Sequence, residues 1–220
     1  MRGTLAVLAT GVLAWWLAGQ AQTAPQPSEV PIRWELDFRY QPLAAAIIHV
    51  PGEPEARLFW YLRYQVTNRT GEDRIFVPSF WLYAQTGQLI PTGKGVPAYV
   101  FTHLKKLLND PYLKDIAGVT GKLLQGDDNA KDGLAIWPDF DPQAGNISIF
   151  VEGLSGETAE INLPVPVEVL ETDAMGNVKQ VTKDKLILTK TLQLAYGIPG
   201  EPEARLRAPV KLQQQKWVMR

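Results

Sequence analysis

The stretch Leu58 to Tyr83, LFWYLRYQVTNRTGEDRIFVPSFWLY, constrains the fold more than any other part of the chain. Leu58, Trp60, Leu62, Tyr64 and Val66 fall on one face, while Arg63, Gln65 and Thr67 fall on the other. A period of two is what a half-buried strand needs, because successive side chains point to opposite sides of a sheet. Asn68, Thr70, Gly71 and Asp73 then break the pattern with turn-forming residues. Ile75 to Tyr83 is apolar again, with Pro78-Ser79 marking a bulge or a sheet edge. The expectation is two strands joined by a polar turn, the central hairpin of a β-sandwich.

The rest of the chain follows the same alternation. Ile32 to Tyr40 sets Ile32, Trp34, Leu36, Phe38 and Tyr40 against Arg33, Glu35, Asp37 and Arg39, and predicts a strand. Leu43 to Val50 is a short apolar run ending in Pro51-Gly52 and reads as strand. Leu134–Trp137, Asn146–Leu154, Thr158–Val165, Leu186–Tyr196 and Val210–Val218 read as strands as well. Val165–Leu170 and Val178–Thr182 flank a turn and predict a further hairpin. Between these, Pro97 to Asn109 places Val100, Leu104, Leu107 and Leu108 at helical spacing behind an N-terminal proline. Asp110-Pro111 is expected to start a second short helix over Tyr112 to Ala117. The predicted fold is mainly β: an immunoglobulin-like sandwich of about 8–9 strands. A helical insert at about 97–117 either caps one end of it or forms its working surface.

The N-terminus carries the firmest functional signal. Arg2 precedes the apolar run Leu5 to Leu17, and Gly19-Gln20-Ala21 offers small residues for cleavage. This is the pattern of a signal peptide over residues 1–21, with an uncleaved anchor as the alternative. A proline-rich flexible lead-in follows at 22–31, and 32–220 forms one domain. There is no cysteine, so neither a disulfide nor a lipid anchor on cysteine is available. The whole chain carries 22 basic against 23 acidic residues. Loss of Arg2 leaves 21 against 23, or −2. Such a balance gives no case for nucleic acid or for an anionic membrane surface.

No catalytic set stands out. The two histidines, His49 and His103, lie in an apolar strand and a helix with no thiol or base at hand. Gly153-Leu154-Ser155-Gly156-Glu157 lacks the last glycine of a nucleophile elbow, and Gly118 to Leu123 lacks the hydroxyl of a phosphate loop. The candidate for chemistry is Asp127 to Asp141, DDNAKDGLAIWPDFD. Asp127, Asp128, Asp132 and Asp139 could supply the oxygen ligands that Ca2+ requires. It is not an EF-hand, because Ala130 occupies a ligand position and Trp137-Pro138 forbids the exiting helix. A solvated acidic loop is the plainer reading.

The octapeptide PGEPEARL occurs twice, at Pro51–Leu58 and Pro199–Leu206. The flanks differ, so this is not a duplicated domain. Two readings follow: two equivalent turns, or a paired recognition loop presenting Glu53, Glu55, Arg57, Glu201, Glu203 and Arg205 together.

The phrases FWYLRYQVTNRTGEDR (Phe59–Arg74), GKLLQGDDNAKDGLAIWPDFD (Gly121–Asp141) and FVEGLSGET (Phe150–Thr158) carry a resemblance. The chain resembles a group of uncharacterised secreted proteins from planctomycete-type bacteria, and more loosely accessory immunoglobulin-like domains of exported bacterial proteins. The resemblance implies export and the sandwich. It implies no activity, so it assigns no catalytic or binding residue. The expectation is an exported, non-enzymatic interaction module with an extracytoplasmic protein or glycan partner. A carbohydrate-binding module using exposed aromatics, suggested by the many Trp and Tyr residues, is the first alternative. A carboxylate or metal enzyme at Asp127–Asp141 is the second.

Overall fold

The computed structural model describes residues 24–172, 176, 178–199, 205 and 210–220. The predicted signal peptide, Glu201 and Glu203 lie outside them. Twelve strands and two α-helices form among the described residues: β1 (Asp37–Tyr40), β2 (Ala44–Ile48), β3 (Arg57–Thr67), β4 (Arg74–Phe76), β5 (Ser79–Ala84), β6 (Leu89–Pro91), α1 (Ala98–Leu107), α2 (Ile116–Val119), β7 (Gly121–Leu123), β8 (Lys131–Pro138), β9 (Asn146–Glu152), β10 (Thr158–Thr172), β11 (Val178–Gly197) and β12 (Lys211–Met219). The chain is mainly β, in several antiparallel sheets.

The first sheet is built around β3. β8 runs antiparallel along one side, with Trp60 opposite Trp137. Along the other side lie β1 and β2 in succession, with Tyr40 opposite Tyr64 and Ala44 opposite Tyr61. β1 and β2 are therefore two halves of one edge strand, interrupted at Gln41–Leu43 by Pro42. The second sheet has the order β6–β5–β9–β11, with β12 on the far side of β11. Both sheets contribute to one core. Trp60, Leu62, Tyr64, Val66 and Trp137 from the first meet Phe80, Leu82, Ile149, Val151, Leu192, Leu194 and Tyr196 from the second.

The alternation in β3 has a physical explanation on both faces. Trp60, Leu62, Tyr64 and Val66 point into the core as predicted. The opposite face is apolar at its start, Phe59 and Tyr61, and polar later, Arg63 and Gln65. Helix α1 covers only that first half. Val100 and Leu104 pack there on Ile48, Val50, Phe59, Leu134 and Ile136. The helical insert thus lies on the outer face of the first sheet rather than across an open end. Leu107, placed on the buried face by its spacing, is 60% exposed, and the contact face is centred on Val100, Phe101, Leu104 and Leu108.

Four expectations are corrected. Leu58 to Tyr83 is not a hairpin: β3 and β5 belong to different sheets, and the turn between them carries the chain across the core. Asn68 is what makes this crossing. Fully buried, its Nδ2 donates to the carbonyls of Glu72 (2.8 Å) and Leu123 (2.9 Å), while its Oδ1 accepts from Thr70 N–H (3.1 Å). The second helix is α2, which starts at Ile116 with the Asp115 side chain capping Gly118 N–H (2.8 Å). Asp110 instead accepts from Tyr112 N–H in a turn. Third, the hairpin expected from Val165–Leu170 and Val178–Thr182 is present, but its strands are parts of longer ones: β10 continues the segment from Thr158 and β11 runs on through Leu186–Tyr196. The strand predicted from Ile32 begins only at Asp37, and Ile32 is exposed.

Gly133 shows how tightly the core is closed. A Cβ built there would lie 2.2 Å from the Tyr64 ring. Gly133→Ala is expected to destabilise the fold by about 1–3 kcal/mol through overpacking, read as a lower denaturant midpoint with an unchanged m-value.

Candidate functional site

Of the four candidate metal ligands, Asp127 and Asp128 sit side by side on an exposed 3-10 turn, and Asp132 and Asp139 lie further along the chain with partners of their own. Asp127 pairs with Arg69, which also pairs with Asp37. Asp132 accepts from Gln65 Nε2 across the β3–β8 ladder (3.2 Å). Asp139 sits beyond the far end of β8, where its Oδ1 accepts from the Trp60 indole N–H (2.8 Å). Seven residues of extended chain put Asp132 and Asp139 about 23 Å apart. Among the described residues, no three His, Asp or Glu side chains gather as a group able to hold a metal ion.

The two octapeptides also diverge. Arg57 is surface-lying: it pairs with Glu53 (3.0 Å), donates to the Gly95 carbonyl (3.3 Å) and lies over the Phe59 ring. Glu55 is exposed. Arg205 is buried. Its Nη2 donates to the carbonyls of Asp141 (3.0 Å), Pro142 (2.6 Å) and Ala144 (3.2 Å), and its Nη1 to that of Phe140 (3.4 Å). The Asp139 carboxylate lies 3.6 Å away and the Phe140 ring centre 5.0 Å away.

A second buried cation closes the end of the molecule where the chain enters. Lys190 donates to the Ser28 carbonyl (2.9 Å) and lies 3.2 Å from the carboxylates of both Glu35 and Glu157. The Trp217 ring covers it at 5.1 Å. Ser28 N–H in turn donates to Glu157 (2.8 Å), so the predicted flexible lead-in is pinned here. Burial opposes ionisation of Glu157. The Ser28 hydrogen bonds and the Lys190 ammonium outweigh it and hold the carboxyl below its ordinary value. The sequence does carry a signal for this site: position 190 has the same parity as Leu192, Leu194 and Tyr196, which are buried. A lysine on a core-facing row must be paired.

Beyond Lys190 the second sheet continues as an arm. Among the described residues the N-terminal half of β11 pairs with β10 alone, and the two form a ribbon about 45 Å long. Val165, Val167, Leu170, Val178, Leu186 and Ile187 on it are 44–74% exposed. A register shift at Asn162–Val167, containing Pro164 and Pro166, breaks the ladder midway.

The aromatic side chains give a different picture from the arm. None of the five described tryptophans is exposed: Trp60 and Trp137 are in the core, and Trp34, Trp81 and Trp217 are half-buried. Exposed rings are those of Tyr83, Tyr99 and Tyr112. His49 and His103 lie at the surface and half-buried, respectively. A polar cleft of about 200 Å³ opens on the uncovered half of the first sheet, lined by Arg39, Gln41, Arg63, Gln65 and Asp132. Arg63 is already paired there with Asp110 at 2.5 Å. No family model, no curated protein and no solved structure matches this chain.

Proposed function

We propose that this chain is an exported interaction module without enzymatic activity, built on an immunoglobulin-like β-sandwich, with the β10–β11 arm as its recognition element. The observation that carries the reading is the arm itself. A two-stranded ribbon is marginal in water on its own, and this one displays six large aliphatic side chains. Exposed apolar surface of this extent marks an interaction site.

The strand neighbours support the fold-level part. Taking β1/β2 as strand A, β3 as B, β5 as C, β6 as C′, β8 as E, β9 as F and β11 as G, the pairs A–B, B–E, C–C′, C–F and F–G of that fold are all present. The helices and β7 then form an insert between C′ and E. The arm is a prolonged F–G hairpin, the connection that variable immunoglobulin domains use for binding. This is an analogy of fold, and function on such folds lies in the loops. Aliphatic rather than aromatic exposure favours a protein partner over a glycan. The non-enzymatic reading draws on the structural engagement of Asp127, Asp132 and Asp139 by Arg69, Gln65 and Trp60.

The test is crosslinking of the tagged protein in its native cell envelope, comparing the natural chain with Val167→Glu/Leu186→Glu. A partner crosslinked through Lys179, Lys183 or Lys185 is expected, and is expected to be lost in a variant whose thermal midpoint is unchanged. Reproducible hydrolytic turnover that disappears on replacing Asp132 or Asp139 would overturn the reading.

A further inference from the structure

The repeated octapeptide places one arginine in a receptor and displays the other. The Arg205 side chain is 1% exposed and the Arg57 side chain 39%. The cage around Arg205 suits a guanidinium and nothing simpler. Four carbonyls of one short turn accept from its planar fork, a carboxylate balances its charge, and the Phe140 ring stacks on it. Arg57 is the seventh of the same eight residues, and an exposed pair with Glu53 holds it only weakly.

We propose that this cage is an arginine receptor in which Arg57 of a second copy of the chain replaces Arg205, making PGEPEARL a self-association motif. The positions of the cage and the displayed loop within one chain allow it. Asp139 N–H donates to the Leu58 carbonyl (3.1 Å), so the wall of the cage and the displayed loop share one end of the molecule. They lie on opposite faces of β3: Phe59, under Arg57, packs toward α1, while Trp60 turns inward and donates to Asp139. A twofold axis through that end would deliver each loop to the partner's cage and close the pair. Arg205 competes from within its own chain at an effective concentration of about millimolar, so exchange dominates once the cage is vacated. The arm plays no part, and the two readings fail independently.

Arg205→Ala vacates the cage. Its mass in sedimentation equilibrium is expected to rise from one chain to two over about a hundredfold range of concentration. Adding Arg57→Ala is expected to abolish that rise. A synthetic PGEPEARL peptide is expected to dissociate the pair and raise the thermal midpoint of the variant, whereas the same peptide with alanine for arginine does neither. A variant that stays monomeric throughout, or that associates equally well without Arg57, overturns the proposal. Should Arg205→Ala fail to fold, the natural chain is labelled with a photoreactive PGEPEARL peptide at concentrations above the roughly millimolar competition from Arg205. Labelling within Asp139–Ala144, competed only by the arginine-containing peptide, supports the receptor. Labelling elsewhere, or none, overturns it.

Discussion

Lys190→Ala is expected to destabilise the protein by about 3–5 kcal/mol, because it removes the cation placed between Glu35 and Glu157 and leaves Glu157 charged and buried. For a domain of this size the loss is a drop of roughly 10 °C or more in thermal midpoint. Acid distinguishes this from a simple packing loss. In the natural protein the Glu157 carboxyl is held below its ordinary value of 4.5. Its contribution is therefore fully present above that value and is lost as pH falls through the folded one. In Lys190→Ala the ammonium is gone and the Ser28 bonds are loosened with it, so burial weighs more and protonating Glu157 relieves the variant. The gap between the two proteins should narrow on acidification below about pH 5 and be widest at neutral pH. Replacing the pair together, as Glu157→Gln/Lys190→Met, should cost much less than Lys190→Ala alone. A gap independent of pH would remove the charge explanation. Because Lys190 and Glu157 both hold Ser28, the variant should also free the lead-in, seen as proteolysis near Ser28.

How much of this was legible in the sequence depends on whether a residue's role is local. The inward row of β3 and the inward row of β11 from Leu192 to Tyr196 could be read directly, since alternation and burial coincide. The covering of Phe59 and Tyr61 could not, because only the docking of α1 distinguishes their face from a wet one. The turn after β3 looked like any hairpin turn. Asn68, Thr70, Gly71 and Asp73 favour a chain reversal equally well within a sheet or between sheets. The choice is made by Leu123, distant in sequence, whose carbonyl accepts from buried Asn68. The acidic run looked like a ligand set because its carboxylates are close in sequence. An extended strand then drew them apart, sending Asp132 to Gln65 and Asp139 to Trp60.

The octapeptide is the sharpest case, since identical sequence is expected to give opposite results. Arg205→Ala removes four hydrogen bonds, of which those to the Phe140 and Ala144 carbonyls are buried while the Asp141 carbonyl keeps the Ala144 N–H, together with the charge beside Asp139 and the stacking on Phe140. Leaving buried acceptors without a donor costs about 1–3 kcal/mol each where they cannot reach water. Partial relaxation of the turn limits the total to about 3–5 kcal/mol. Arg57→Ala removes one exposed ion pair, one long hydrogen bond and a surface stacking contact, and is expected to cost at most about 1 kcal/mol. Lysine tells the two sites apart again. At position 57 it should be nearly neutral, because a point charge still meets Glu53. At 205 it should recover little, because a single ammonium cannot reach four carbonyls from the plane of a fork. Chemical denaturation of the four variants decides the matter. Equal losses at 57 and 205 would mean that the buried cage contributes no more than the exposed pair and does not hold a guanidinium as a receptor.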